Sequence, residues 1–294
     1  MAAIETIPAA AVEGRSLWVD AWRRLLRNRA AVVAGFILVF MTVAVIVGPW
    51  FLPYDYDFTD WSNMAAAPEL ASGHFFGTDS LGRDLLVRTL HGGRISLLVG
   101  LVATLVSLVI GITYGATAGY LGGRVDHVMM RIVDILYAMP FMFFVILLMV
   151  LFGRNIVLIF VAIGAINWLD MARIVRGQTL SLKHKEFIEA AEALGTPVFD
   201  IIRRHIVPNL LGVVVVYVTL TIPQVILVES FLSFLGLGVQ EPMTSWGALV
   251  NDGAQEMENA PWLLIFPAVC LAATLFCFNF IGDGLRDALD PKDR

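Results

Sequence analysis

Charge-free apolar runs alternate with short polar islands along this chain, and the runs are long. Residues 30–54 carry no charge over 25 positions and residues 95–123 none over 29. About 20 apolar residues suffice to cross a bilayer as a helix. Each run therefore predicts one transmembrane helix, the first at 30–52. Residues 135–153 predict a third span, with Pro140 inside it. The fourth run, 155–169, offers only 15 uncharged positions, so its helix extends past Asp170 toward Ile174 or is short and tilted. A fifth span is placed at 211–235 and a sixth at 259–282. The expected fold class is an all-α polytopic membrane protein with six transmembrane helices.

The islands are patterned too. Residues 13–29 are amphipathic, with Trp18, Trp22, Leu25 and Leu26 on one side and Arg23, Arg24 and Arg27 elsewhere. They predict a helix lying in the cytosolic membrane interface. Residues 1–12 lack the basic start of a cleaved signal peptide. The first outside loop, 53–94, begins acidic and then offers Asp79/Arg83 and Asp84/Arg88. Those i,i+4 pairs predict a short surface helix and are worth only a few tenths of a kcal/mol. Gly111, Gly115 and Gly119 form a small-residue face, read as a close helix contact with pore lining as the sharper alternative. Glu229 falls in the outer part of the fifth span, either reaching the interface or facing a pathway. The second outside loop, 236–261, has no Lys or Arg and carries Glu241, Asp252, Glu256 and Glu258.

The richest island is 185–209. On a wheel of 100° per residue, Phe187, Ile188, Ala190, Ala191 and Leu194 share one arc, and Glu189 and Glu192 face away. Gly195 stops that helix, with Thr196 as the next N-cap and Pro197 at the first helical position. Val198, Ile201, Ile202 and Ile206 then oppose Asp200, Arg203 and Arg204, and Pro208-Asn209 closes the unit. The prediction is a helix–turn–helix between the fourth and fifth spans.

Composition agrees with a membrane protein. The chain is 58% hydrophobic with a mean hydropathy of +0.78, and only 15% of its residues are charged. A soluble domain carries about a quarter. Sixteen of the twenty Lys and Arg residues fall on segments assigned to the cytosol. This positive-inside bias places both termini and the 185–209 island in the cytosol, with 283–294 as a short tail. A β-barrel would instead alternate over segments of about ten residues. Cys270 and Cys277, seven apart in one run, sit too far apart on a helix for a disulfide. The five histidines lack ligand spacing. No phosphate-binding GxxxxGK[ST] loop, HExxH or GxSxG is present, so neither enzyme activity nor a cofactor is expected of this chain.

Residues 189–208 read E-A-A-x-x-x-G, nine residues, then H-I-V-P. This resembles the EAA loop of the integral-membrane subunits of ATP-binding-cassette importers; Glu189, Ala190, Ala191, Gly195 and Pro208 match, and His205 and Val207 depart from the general pattern toward its peptide-transporting branch. The segments 76–88, 92–97, 168–182, 229–242, 245–250 and 282–294, with EGRSLW at 13–18, are similar to the peptide/nickel permease family, in particular the C-type permeases of bacterial oligopeptide importers. The resemblance implies a type I importer permease fold, with a permease core over 95–282 in the bacterial inner membrane. It implies a homologous second permease, two cytosolic ATP-binding subunits, an extracytoplasmic peptide-binding protein and a peptide substrate. It also implies that Glu189, Ala190, Ala191, Gly195 and Pro208 carry coupling to the ATPases. Polarity alone suggests Thr219, Thr221, Gln224 and Glu229 as pathway-lining residues. The alternatives are a secondary transporter or channel working alone, which would carry paired ionisable groups at mid-membrane, and a membrane enzyme, for which no nucleophile–base pair stands out.

Overall fold

The structure, a computed structural model, describes residues 17–153 and 156–289. The first part of EGRSLW, the Arg154-Asn155 turn and the end of the tail lie outside the described residues. Eleven α-helices carry the described chain, and isolated bridges replace any strand. They are α1 (Leu17–Arg27), α2 (Arg29–Val47), α3 (Leu85–Leu121), α4 (Gly123–Tyr137), α5 (Phe141–Phe152), α6 (Ile156–Lys183), α7 (Glu186–Ala193), α8 (Val198–Ile201), α9 (Val207–Phe234), α10 (Trp246–Gln255) and α11 (Trp262–Leu289). Among the described residues, four segments are long and apolar enough to cross a membrane: Arg29–Phe51, Leu85–Leu121, Val198–Phe234 and Trp262–Leu289. The α4–α5 pair makes a fifth if its bent halves count as one span.

Several boundaries move from the sequence expectation, each for a local reason. α3 begins at Leu85, well inside the expected loop, because Asp84 caps it by accepting from Val87 N–H at 2.9 Å. At 37 residues it is about 55 Å long, far more than the hydrocarbon thickness of about 30 Å. The expected third span breaks by 76° before Pro140, where the ring removes a helical donor and disfavours helix in the residue before it. α6 continues through the charged stretch to Lys183, held to α4 by a bidentate Arg176–Asp126 pair at 2.5 and 2.6 Å. Pro208 does not close a unit. Ile202–Ile206 forms a π turn, Val207 N–H donates to Ile202 O, and the helix runs on into α9. The wider turn passes the proline, which has no N–H to give.

No separate surface helix forms at Asp79–Arg88: residues 79–84 are loop, Leu85–Arg88 open α3, and the four charged side chains are buried. Arg83 Nε reaches Asp79 Oδ2 at 2.7 Å and its Nη1 reaches Glu241 at 2.8 Å. Burial opposes the charge on Arg83, but the Asp79 and Glu241 carboxylates together outweigh it and hold the guanidinium above its ordinary value. Asp84 pairs with His74 at 2.8 Å instead of Arg88. Arg88, 1% exposed, lies between Asp79 and Glu241 at 3.4 and 3.5 Å.

α3 and α6 form the central contact. A side chain at Gly111 would strike Met171, one at Gly115 the carbonyl of Ala172, and one at Gly119 would come within 2.8 Å of Thr179 Cβ. The three glycines therefore pack helix on helix within the chain, as the main sequence reading had it. Gly115→Leu meets backbone that cannot yield, so a loss of about 1–3 kcal/mol or more is expected. Thermal unfolding in detergent, followed by circular dichroism, checks this. Gly35→Leu, where nothing lies within 4 Å, should unfold near the wild-type temperature.

Candidate coupling site

α7 is an eight-residue helix with Glu186 and Glu189 in its first turn, where the helix dipole favours acids. It ends in a Schellman cap: Gly195 N–H donates to Glu192 O at 2.9 Å and Thr196 N–H to Ala191 O at 3.1 Å. Gly195 takes φ +74°, left-handed backbone that suits glycine. Pro197 then caps α8, one residue later than the predicted Thr196.

The predicted apolar arc of α7 divides in two. Ile188 and Ala191 are buried, whereas Phe187, Ala190 and Leu194 are exposed. The buried pair meets Ile201 and Ile206 of the second arm and Ala116, Tyr120, Met171, Val175, Leu210 and Val214 of the long helices. The elbow thus shares one core with α3, α6 and α9. Polar contacts fix the same joint: Tyr120 O–H donates to Glu192 at 2.7 Å, and Lys183 Nζ donates to Tyr120 O at 2.7 Å. Around Gly195 the other face stands open, with Leu194 85% and Phe199 70% exposed beside Phe187 and Val198. Glu189 and Ala190 lie on this open side, and Pro208 is exposed on α9.

Residues 107–294 match the family model described as the binding-protein-dependent transport system inner membrane component. Residues 16–68 match the N-terminal transmembrane domain of oligopeptide transport permease C. The chain belongs to this family of transport-system membrane components. The permease is 64% identical to the oligopeptide transport system permease protein OppC of Haemophilus influenzae, over 96% of this chain and 91% of that one. It is 66% identical to OppC of Escherichia coli K12 over 96% and 94%, and 47% identical to the dipeptide permease DppC of Bacillus subtilis over 94% and 86%. A solved structure of the MetNI methionine ABC transporter, in inward-facing conformations, aligns with TM-score 0.54 at 21% identity, over 70% of this chain and 96% of that one. That likeness shows the type I importer permease fold. The permease is accordingly a multi-pass inner membrane protein.

The four suggested pathway residues fall in different surroundings. Thr221 is buried and Thr219 half-buried, each donating to its own helix at 2.8 Å, to Tyr217 O and Val215 O. Gln224 is exposed. Glu229 is 0% exposed, which overturns its interface-solvated reading. It accepts from Ser233 at 2.7 Å and Ser96 at 3.2 Å. Sequence reasoning missed α10, which closes this end of the permease. Ser245 caps it by accepting from Ala248 N–H at 3.2 Å, and the buried Trp246 donates from Nε1 to Thr89 O at 2.9 Å. A serine before Trp-Gly-Ala was the available signal.

Ile188→Ala should empty the shared core at a cost of about 2–5 kcal/mol. Hydrogen exchange checks it: amides 186–196 are expected to exchange faster while those in the middle of α3 stay protected.

Proposed function

We propose that this permease is the integral-membrane subunit of an ATP-driven oligopeptide importer. It crosses the membrane six times, through α2, α3, the bent α4–α5 pair, α6, the α8–α9 helix and α11. Both termini and the α7–α8 elbow face the cytosol, and α10 faces outward. The chain forms half of the pathway and a homologous permease the other half. Two ATP-binding subunits engage the elbow, and a peptide-binding protein delivers substrate from outside. The names of the 64–66% identical relatives support the substrate class.

One observation carries the coupling reading. The elbow is rigid on the inside and apolar on the outside. An apolar knob of Leu194 and Phe199 at a sharp turn fits a cleft on a partner, since exposed apolar patches rimmed by polar groups mark interaction sites. Because Ile188, Ala191, Ile201 and Ile206 share a core with three long helices, displacing the elbow displaces those helices. Glu189 offers the partner a charge, Ala190 and Ala191 keep the helix slim, and Gly195 makes the turn.

Nothing lies within 4 Å of the position a Gly195 side chain would take. A bulky residue there costs the chain only left-handed strain of about 1–2 kcal/mol, yet it projects toward the partner. Gly195→Trp is expected to insert at wild-type levels and to abolish ATP-driven peptide uptake in reconstituted vesicles. Wild-type uptake would remove the elbow from the coupling path. Affinity purification of the chain should bring down a sister permease and two ATP-binding subunits; transport by the purified chain alone would favour the secondary-transporter reading.

A further inference from the structure

α1 presents three different sectors around its axis. Ala21 is buried and Leu25 half-buried, and this sector faces the last turns of α11. A side chain at Gly284 would meet Ala31 Cβ at 2.7 Å, Leu25 at 3.1 Å and Asn28 at 3.5 Å. Val19, Trp22 and Leu26 are all exposed and fall within about 60° of one another at 100° per residue. The third sector holds the exposed Arg23 and Arg27, and Arg29 is exposed at the start of α2. None of these three arginines forms an ion pair among the described residues. Asp20 on α1 and the exposed Asp283 and Asp287 on α11 are the nearest acids in the chain order of the packed elements.

What covers the apolar sector follows from its neighbours. A single extended residue, Asn28, separates α1 from α2. α2 exposes Val32, Val33, Phe36, Val39, Phe40 and Val43, a face that only lipid or another membrane helix can cover. An exposed Trp22 beside arginines at the foot of such a helix has the composition of an interfacial anchor. Arginines placed there meet headgroup phosphates, and their charge favours anionic lipid over zwitterionic lipid.

We propose that α1 is a binding surface for anionic phospholipid headgroups, with Val19, Trp22 and Leu26 in the acyl boundary and Arg23, Arg27 and Arg29 on the headgroups. This goes beyond the transport reading and shares with it only the placement of α1 at the inner leaflet. Each arginine contributes about fivefold to the preference of the seated over the lifted helix on an anionic surface, so three contribute about a hundredfold.

The test uses the full chain, with Cys270→Ala and Cys277→Ala, spin-labelled at Leu26→Cys in nanodiscs. One set holds phosphatidylcholine alone and the other adds phosphatidylglycerol. The label is expected to contact oxygen-rich acyl chains with phosphatidylglycerol and to become water-accessible without it. Arg23→Gln/Arg27→Gln/Arg29→Gln is expected to abolish that difference at unchanged circular dichroism. A label buried equally in both lipids, water-accessible in both, or insensitive to the triple substitution overturns the proposal. The readout involves no ATP or peptide, so it fails or succeeds independently of the transport reading.

Discussion

Everything at the α7 end of this protein depends on how closely α3 and α6 approach. Gly111, Gly115 and Gly119 let the two backbones touch, so that Met171, Ala172 and Thr179 sit where side chains of α3 would otherwise be. In a bilayer this contact has no hydrophobic driving force, and close packing of small residues supplies it instead. The consequence is local. With α3 and α6 locked, Ala116, Tyr120, Met171 and Val175 form a floor, and Ile188, Ala191, Ile201 and Ile206 bury onto it. A short helix such as α7 is marginal by itself. Its order comes from that floor, from the Schellman cap at Gly195 and from the Tyr120–Glu192 hydrogen bond.

The opposite end is built on different chemistry. There α3 extends as Leu85–Arg94 beyond what a bilayer requires, and polar groups hold it. Arg94 donates to Val45 O and Ile46 O, both at 2.5 Å, satisfying carbonyls at the end of α2. Trp246, donating to Thr89 O and to Ser96 Oγ, fastens α10 onto α3, Ser245 O–H donates to Ser233 Oγ of α9 at 3.2 Å, and the Ser96–Glu229 contact joins α3 to α9. A fully buried acid is tolerated because hydroxyl donors meet both of its oxygens, as buried polar groups demand. The permease therefore has an apolar joint at one end and a hydrogen-bonded cap at the other, connected by the same long helices.

Much of this was legible in the residues, and the failures share a cause. Apolar run lengths located α2, α3, α9 and α11 because bilayer thickness imposes a length on each. The glycine spacing gave the α3–α6 contact, and Gly195 gave the elbow, because each needs a particular residue at a particular place. The Asp79/Arg83 pair forms as its spacing suggested, but the spacing says nothing about Glu241, which joins Arg83, or His74, which takes Asp84 in place of Arg88, and so the stretch was misread as a surface helix. Pro208 was misread as a terminus because the sequence shows the missing donor but not the π turn that bypasses it. The wheel of α7 gave an arc too wide. Of that arc only Ile188 and Ala191 are buried in the core, while Phe187, Ala190 and Leu194 stay exposed.

The central claim is that the open face of the elbow is seated in an ATP-binding subunit. The direct measurement places a photo-crosslinking amino acid at Leu194, and separately at Phe231, an exposed site far along α9, in the chain expressed with its native partners. The account predicts an adduct with an ATP-binding subunit from position 194 whose yield changes when ATP is trapped, and none from position 231. Adducts at 194 with lipid alone, or with no subunit under any nucleotide condition, would contradict it.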